Sequence, residues 1–372
     1  MFMGTYCKDN LSYEVIKGRS FWLFPLILLT LSCSKSDDLI DWEEAKEEFP
    51  IVWSVTTSNE TKALVNDYQT LRDLCTTSES QPAEKIGLFG SYTLEDNKVT
   101  IFDNVDLWWW EKEKGNPFND ISGDRSHWNY DGEDRLWVNN ATYSFRAYFP
   151  KSQVVLEPAS NSDSLLSVYD TQASQFDLMV ASKSMVSRGE NPVVLLFNHA
   201  LAALKFNFKI SSSGVTDNLT ACWLENVEPE GFYTSSTLNF KNSIIWPKSS
   251  ANSVGERIYY WKPLNPLPIT SEGNSTAYTT YAASGNGDLY LKNDGWVLVI
   301  PQITPGPEAL QLCFTTTTGG DAVYRVGVPA VELLSGSRYT FNVNISSTKI
   351  DVKLSIAQWN ERDSSYEVDF NN

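Results

Sequence analysis

His127 and His199 are the only two histidines in the chain, and their surroundings bear directly on whether acid–base chemistry is open to it. His199 stands in Phe197-Asn198-His199-Ala200-Leu201-Ala202, among apolar residues. A general base needs a substrate proton within hydrogen-bond reach, and a nucleophilic scheme needs a side chain for it to activate. Neither neighbours His199, which is therefore read as a structural imidazole bonded to backbone. His127 is read as lying in a polar loop, with no evident partner in the sequence. The sequence contains no nucleophile elbow, phosphate-binding glycine loop, H-E-x-x-H pair or dinucleotide glycine pattern. Carboxylate pairs are plentiful in an acidic chain and single out no site. These residues predict a non-enzymatic protein without catalytic residues, cofactor or metal.

Five cysteines, Cys7, Cys33, Cys75, Cys222 and Cys313, lie far apart with no C-x-x-C pair, which removes zinc-knuckle and thioredoxin-type readings. If the mature chain begins at Cys33, three thiols remain and cannot all pair. They are read as single half-buried thiols, the alternative being one disulfide among Cys75, Cys222 and Cys313; Cys313 faces away from Leu310 and Leu312. Asp131-Gly132-Glu133-Asp134 lacks the spaced pattern of a calcium loop and reads as a turn. Trp108-Trp109-Trp110 is the remaining cluster. Aromatic platforms stack on sugar rings, so these three tryptophans suggest a glycan site; alternatively, they alternate along a strand, into and out of a sandwich.

The elements that must position these groups are β-strands. At 372 residues with 42% hydrophobic content, the chain has the length of two packed domains. Aromatic residues suit sheets, and the net charge of −17 excludes nucleic acid as a partner. Phe21 to Leu31 is an apolar run behind Lys17 and Arg19, shorter than the ~20 residues a spanning helix needs. It reads as the core of a secretory signal over residues 1–32. A flexible acidic tether follows over 33–48, containing Asp37, Asp38, Asp41, Glu43, Glu44, Glu47 and Glu48.

Phe49 to Val55 reads as a strand with Ile51, Trp53 and Val55 on one face. Asn59 to Thr77 is helix-permissive or loop-like, and Lys85 to Tyr92, Thr100 to Phe102 and Val105 to Trp108 continue the β pattern. Tyr143, Phe145, Ala147 and Phe149 alternate up to Pro150. Gly189 to Pro192 punctuates the middle, so domains over 49–190 and 191–372 are expected. Beyond it, Val193 to Phe197 is an apolar run, Asn198 to Ala203 a helix-prone turn, and Leu204 to Ile210 strict alternation. Further strands are expected at Thr220–Leu224, Ser243–Trp246, Tyr278–Ala282, Gly295–Ile300, Leu310–Phe314, Val323–Val328 and Tyr339–Ile345. The tail alternates twice, at Ile350, Val352, Leu354 and Ile356, then at Tyr366, Val368 and Phe370. A terminal strand of this kind can close its own sheet or complete a neighbour's.

Several of these stretches resemble the fimbrillin family, the lipoprotein pilins of Bacteroidales-type fimbriae. They are F-x-H-A-L-A-x-L-x-F at Phe197 to Phe206, Y-x-F-x-A-Y-x-P at Tyr143 to Pro150, Asp177 to Ala181, Trp296 to Gln302, and Tyr339 to Ile345. Thr30-Leu31-Ser32-Cys33 resembles a relaxed lipobox, the acidic run behind it a surface-export signal, and Asp163-Ser164-Leu165 a short O-glycosylation pattern. The resemblance implies an all-β fold of two tandem transthyretin-like β-sandwich domains, anchored in outer-membrane lipid through Cys33. It also implies assembly with other pilin subunits by donor-strand addition. An arginine-directed protease would remove the strand containing Ile51, Trp53 and Val55, and a neighbour's C-terminal strand, here Tyr366, Val368 and Phe370, would fill the groove. Arg72, the only arginine between Cys33 and Arg125, is the expected processing site. A reading of a different class is a lipid-anchored glycan-binding protein using Trp108, Trp109 and Trp110.

Overall fold

The computed structural model describes residues 49–57, 68–76, 84–111, 126–154, 169–211, 216–239, 244–262, 265–271, 274–275, 296–346, 350–358 and 366–368. In chain order the first elements are β1 (Trp53–Thr57), α1 (Tyr68–Leu74), β2 (Ile86–Leu94), β3 (Asn97–Trp110), β4 (His127–Tyr130), β5 (Thr142–Phe149), β6 (Tyr169–Asp170), β7 (Met179–Val186) and β8 (Val193–His199). Then come β9 (Ala202–Ile210), β10 (Asp217–Asn226), β11 (Ser235–Ser236), β12 (Ile258–Trp261), β13 (Leu267–Ile269), β14 (Asn274–Ser275) and β15 (Val297–Val299). The last are β16 (Leu310–Thr316), β17 (Tyr324–Gly327), β18 (Ser337–Ile345), β19 (Ile350–Gln358) and β20 (Tyr366–Val368). The chain is all-β, as expected.

The first half forms one seven-stranded sheet in the order β1-β8-β7-β5-β2-β3-β4. Its two ends meet, because Ile51 N–H donates to Arg135 O at 2.8 Å and Trp137 N–H to Phe49 O at 2.9 Å. The sheet therefore curls around a core of alternate inward residues, among them Phe102, Leu107, Tyr143, Phe145, Ala147, Leu195 and Phe197. Gly87 is required where Tyr148 folds over β2: a Cβ there would lie 2.2 Å from the tyrosine ring.

The second half has two facing sheets. One runs β12-β10-β16-β17 with β13 also on β10; the other runs β14-β9-β18-β19-β20 with β15 also on β9. The predicted alternation of β9 holds, with Leu204, Phe206, Phe208 and Ile210 buried against Phe314, Phe341 and Val343. A third apolar cluster joins the halves, with Phe89, Tyr148, Leu178 and Val180 from one and Ala203, Tyr233, Leu298 and Ile300 from the other.

Two expectations at the mid-chain stretch are corrected. Val193–His199, assigned to the second half by the boundary at 190/191, pairs with β1 and β7 of the first sheet, so the sheets change only after His199. No helical turn spans Asn198 to Ala203. The backbone of Ala200 and Leu201 bonds outward instead: Ala200 N–H donates to Leu178 O, and Leu201 O accepts from Gly336 N–H, each at 2.8 Å. These non-local partners outcompete the local helix.

One device opens the alternating strand of each half. The Tyr143 hydroxyl accepts from Val138 N–H at 2.6 Å, and the Tyr339 hydroxyl accepts from Leu334 N–H at 2.8 Å while donating to Glu332 O at 2.8 Å. Three residues before each tyrosine the backbone is left-handed, at Asn140 (φ 62°) and Gly336 (φ 69°). These corners resemble the tyrosine corner of β-sandwich proteins.

Candidate functional site: the seam closed by the first strand

β1 runs parallel to β8, with Trp53–Thr57 registered against Val193–Phe197, and is the edge strand of its sheet. Its alternation drives Ile51 (2% exposed), Trp53 (4%) and Val55 (2%) into the core. The Trp53 ring packs edge-on against Phe102 at 5.5 Å and Phe145 at 4.9 Å.

Polar contacts fasten the start of this strand. The Asn191 side chain accepts from Val52 N–H at 2.9 Å and donates to Pro50 O at 3.1 Å, standing in for a paired backbone. The Arg188 guanidinium lies 3.6 Å from the centre of the Phe49 ring and donates to Asn139 Oδ1 at 3.1 Å. β1 is thus an apolar plug with hydrogen bonds along both flanks. Backbone pairing is independent of side-chain identity, so another strand of like pattern can make the same bonds.

Arg72 lies within α1, not in an extended loop. Its guanidinium is 5.5 Å from the Trp109 ring centre and 5.9 Å from that of Tyr68, and it contacts Asp73 at 3.2 Å. A protease needs extended backbone with the arginine free, so a cut here requires α1 to open first.

The three tryptophans do not form one platform. Trp109 turns inward, edge-on to Trp128 at 5.6 Å, whereas Trp108 and Trp110 occupy the opposite face of β3. On that face Lys85 Nζ lies 5.5 Å from the Trp108 ring centre, and His127 is tilted against Trp110 at 5.3 Å. Nearby, Asp106 takes both Lys85 (2.6 Å) and Lys151. Burial pushes the Asp106 carboxyl up, but the hydrogen bonds and charges of the two lysines outweigh it and hold it below its ordinary 3.8.

One partner of His199 is a side chain: its Nδ1 lies 2.8 Å from Asp177 Oδ1, with both groups buried. The period-two pattern could not announce this pair, because Asp177 belongs to the segment entering β7. Cys75, Cys222 and Cys313 form no disulfide and are fully buried, where half-buried thiols had been expected. Burial pushes the Cys313 thiol up to about 12. Residues 131–133 form a bend, where a turn had been expected. Among the described residues no group of histidine, cysteine and carboxylate side chains could hold a metal, and no helix is long and apolar enough to cross a membrane. At the other terminus β20 pairs antiparallel with β19, Tyr366 opposite Ile356 and Val368 opposite Leu354. Cys33, the acidic tether, Asp163-Ser164-Leu165, Tyr278–Ala282 and Phe370 lie outside the described residues.

The family profile described as fimbrillin-like matches residues 76–359. The chain belongs to the fimbrillin-like family. The matched span holds most of both halves, while β1 and α1 precede it and β20 follows it. Among solved structures, a fimbrial protein from Bacteroides vulgatus is 14% identical with a TM-score of 0.55, covering 83% of this chain and 99% of its own. A putative cell adhesion protein from Bacteroides ovatus is 16% identical with a TM-score of 0.51, covering 85% and 99%. At these identities the likeness is one of fold. No curated protein matches. For this fimbrillin-like chain, the seam at β1 brings together the sequence-derived residues Ile51, Trp53 and Val55, and adds Asn191, Arg188 and Phe49, which periodicity alone did not mark.

Proposed function

We propose that this fimbrillin-like protein is a non-catalytic structural subunit of fimbriae, anchored at the cell surface through Cys33, that assembles by β-strand exchange. One observation carries the reading: β1 is an edge strand whose apolar residues fill the first core while its backbone closes the seam. Removing it would uncover a groove with β8 on one flank and residues 135–137 on the other. A neighbour's terminal strand with alternate apolar residues would refill it, and Tyr366, Val368 and Phe370 have that alternation. Release of β1 by an arginine-directed cut at Arg72 would be gated by opening of α1. Uncut chains keep the groove filled and serve as anchors.

The test is polymer formation. Protein clipped in folded form by an arginine-specific protease should give ladders on a denaturing gel run without boiling, and deletion of Tyr366 to Asn372 should abolish them. Clipped and unclipped protein that both stay monomeric would defeat the polymer reading. Mass spectrometry of the mature N-terminus should find acylated Cys33; an unmodified, soluble chain starting elsewhere would defeat the anchor.

A further inference from the structure

Among the described residues the first core leaves three indole N–H groups without a hydrogen-bond partner, those of Trp53, Trp128 and Trp137. All three side chains are more than nine-tenths buried, at 4%, 4% and 7% exposure. Folded proteins leave few buried donors unpaired, because each was hydrated in the unfolded chain. The second half shows the ordinary solution: Trp223 donates to Glu225 Oε2 at 3.3 Å and Trp246 to Ala200 O at 2.7 Å. The deficit therefore belongs to the core that β1 plugs.

Trp137 is the orphan that meets the plug strand and remains when that strand leaves. Its backbone N–H donates to Phe49 O, and the antiparallel bridge between Pro50 and Leu136 sets Phe49 directly opposite it. Residues so paired share a face of the sheet, and Phe49 packs on the same core as Trp137. Phenylalanine offers no acceptor. Tyr143 and Phe145 hold the Trp137 ring from the core side, with centroids at 4.6 and 6.5 Å. The position opposite, which an incoming strand would supply, is where an acceptor can be added.

We infer that the groove uncovered by β1 selects a strand bearing a hydrogen-bond acceptor side chain opposite Trp137, and that the C-terminal strand of a second copy of this chain supplies it through Ser364. This rests on the strand-exchange reading and adds the chemistry of the partner. In the plug, Phe49 precedes Ile51, Trp53 and Val55 at two-residue steps; in the tail, Ser364 precedes Tyr366, Val368 and Phe370 at the same steps. Laid in the orientation of β1, the tail puts its hydroxyl against the Trp137 indole. Val368 in place of Trp53 also removes a second orphan donor, while giving up the ring contacts with Phe102 and Phe145.

The experiment uses the full chain with a protease site inserted between Thr57 and Tyr68, so that β1 can be cut and displaced. Fluorescently labelled peptides of Ser364 to Asn372, native and with Ser364→Ala, are titrated against the cut protein and against its Trp137→Phe variant. The native peptide should bind about tenfold tighter than Ser364→Ala. That difference should vanish on Trp137→Phe, the mark of a direct pair. Equal binding of both peptides to the unsubstituted protein overturns the acceptor rule and leaves strand exchange standing. Binding of neither peptide, with far-ultraviolet circular dichroism retained, overturns strand exchange and this inference with it. As a check independent of peptides, Trp137→Phe in the uncut chain should lower the denaturation midpoint less than Trp246→Phe, because the first deletes an unpaired donor and the second a paired one. An equal or larger fall at Trp137 means its indole is paired, and overturns the inference.

Discussion

Among the described residues each half contains one parallel strand pair, made by the first strand of that half, and the two pairs are placed differently. Among them β1 lies at the edge of its sheet and pairs with β8. β9 lies inside its sheet, parallel to β18 on one side and antiparallel to β14 and β15 on the other. A central strand cannot leave without unpairing both neighbours. An edge strand opens one ladder, and β1 must break besides the short closure to residues 135–137 and the two Asn191 side-chain bonds. The contrast is one of pairing: β1 is held by one ladder and a short closure, β9 by ladders on both sides.

The largest test of this contrast is truncation of the aromatic at the centre of each first strand. Phe206, fully buried and stacked on Phe341 at 5.6 Å, should cost about 3–5 kcal/mol as Phe206→Ala. Trp53→Ala should fall at or below the lower end of that range, about 3 kcal/mol, because an unpaired donor goes with the ring. Urea denaturation midpoints read both; the reverse order would mean that β1 is held more firmly than β9.

The two tyrosine corners give the next contrast. Tyr339→Phe strands both Leu334 N–H and Glu332 O, and should cost about 2–3 kcal/mol. Tyr143→Phe strands only Val138 N–H, and should cost about 1 kcal/mol. Equal losses would show that the second bond of Tyr339 contributes nothing.

Asn191→Ala removes the two side-chain bonds that fasten β1 and should cost about 1 kcal/mol globally. Its larger effect should be local: amide hydrogen exchange in β1 should accelerate while that of β9 is unchanged. Acceleration in both strands together would mean that β1 does not open separately.

The smallest effect concerns the lysine-bound Asp106. Its folded-state carboxyl is held below 3.8, so the stability it contributes is present above that value and lost as pH falls through the lower, folded one. Asp106→Asn should therefore lower stability at neutral pH, with the gap to the parent closing under strong acid. Lys85 is raised above its ordinary 10.5, so its share is lost as pH rises beyond that. A gap that stays constant from pH 6 to pH 2 would refute the charge account.

Much of this was legible because period two is written directly into the residues. Ile51, Trp53 and Val55, the inward faces of β5, β9 and β18, and the tail strand β19 were all read from alternation, since a strand with one buried face leaves no other pattern. The family motifs were likewise readable as residues. Alternation names a face, however, and not a neighbour. That Val193–His199 joins the first sheet, that His199 meets Asp177, that Trp109 turns from Trp108 and Trp110, and that Arg72 lies in a helix against Trp109 are outcomes of pairing between distant segments. Only the folded chain settles those, because register and sheet membership follow from which long-range closures together bury the most surface with the fewest unpaired backbone groups.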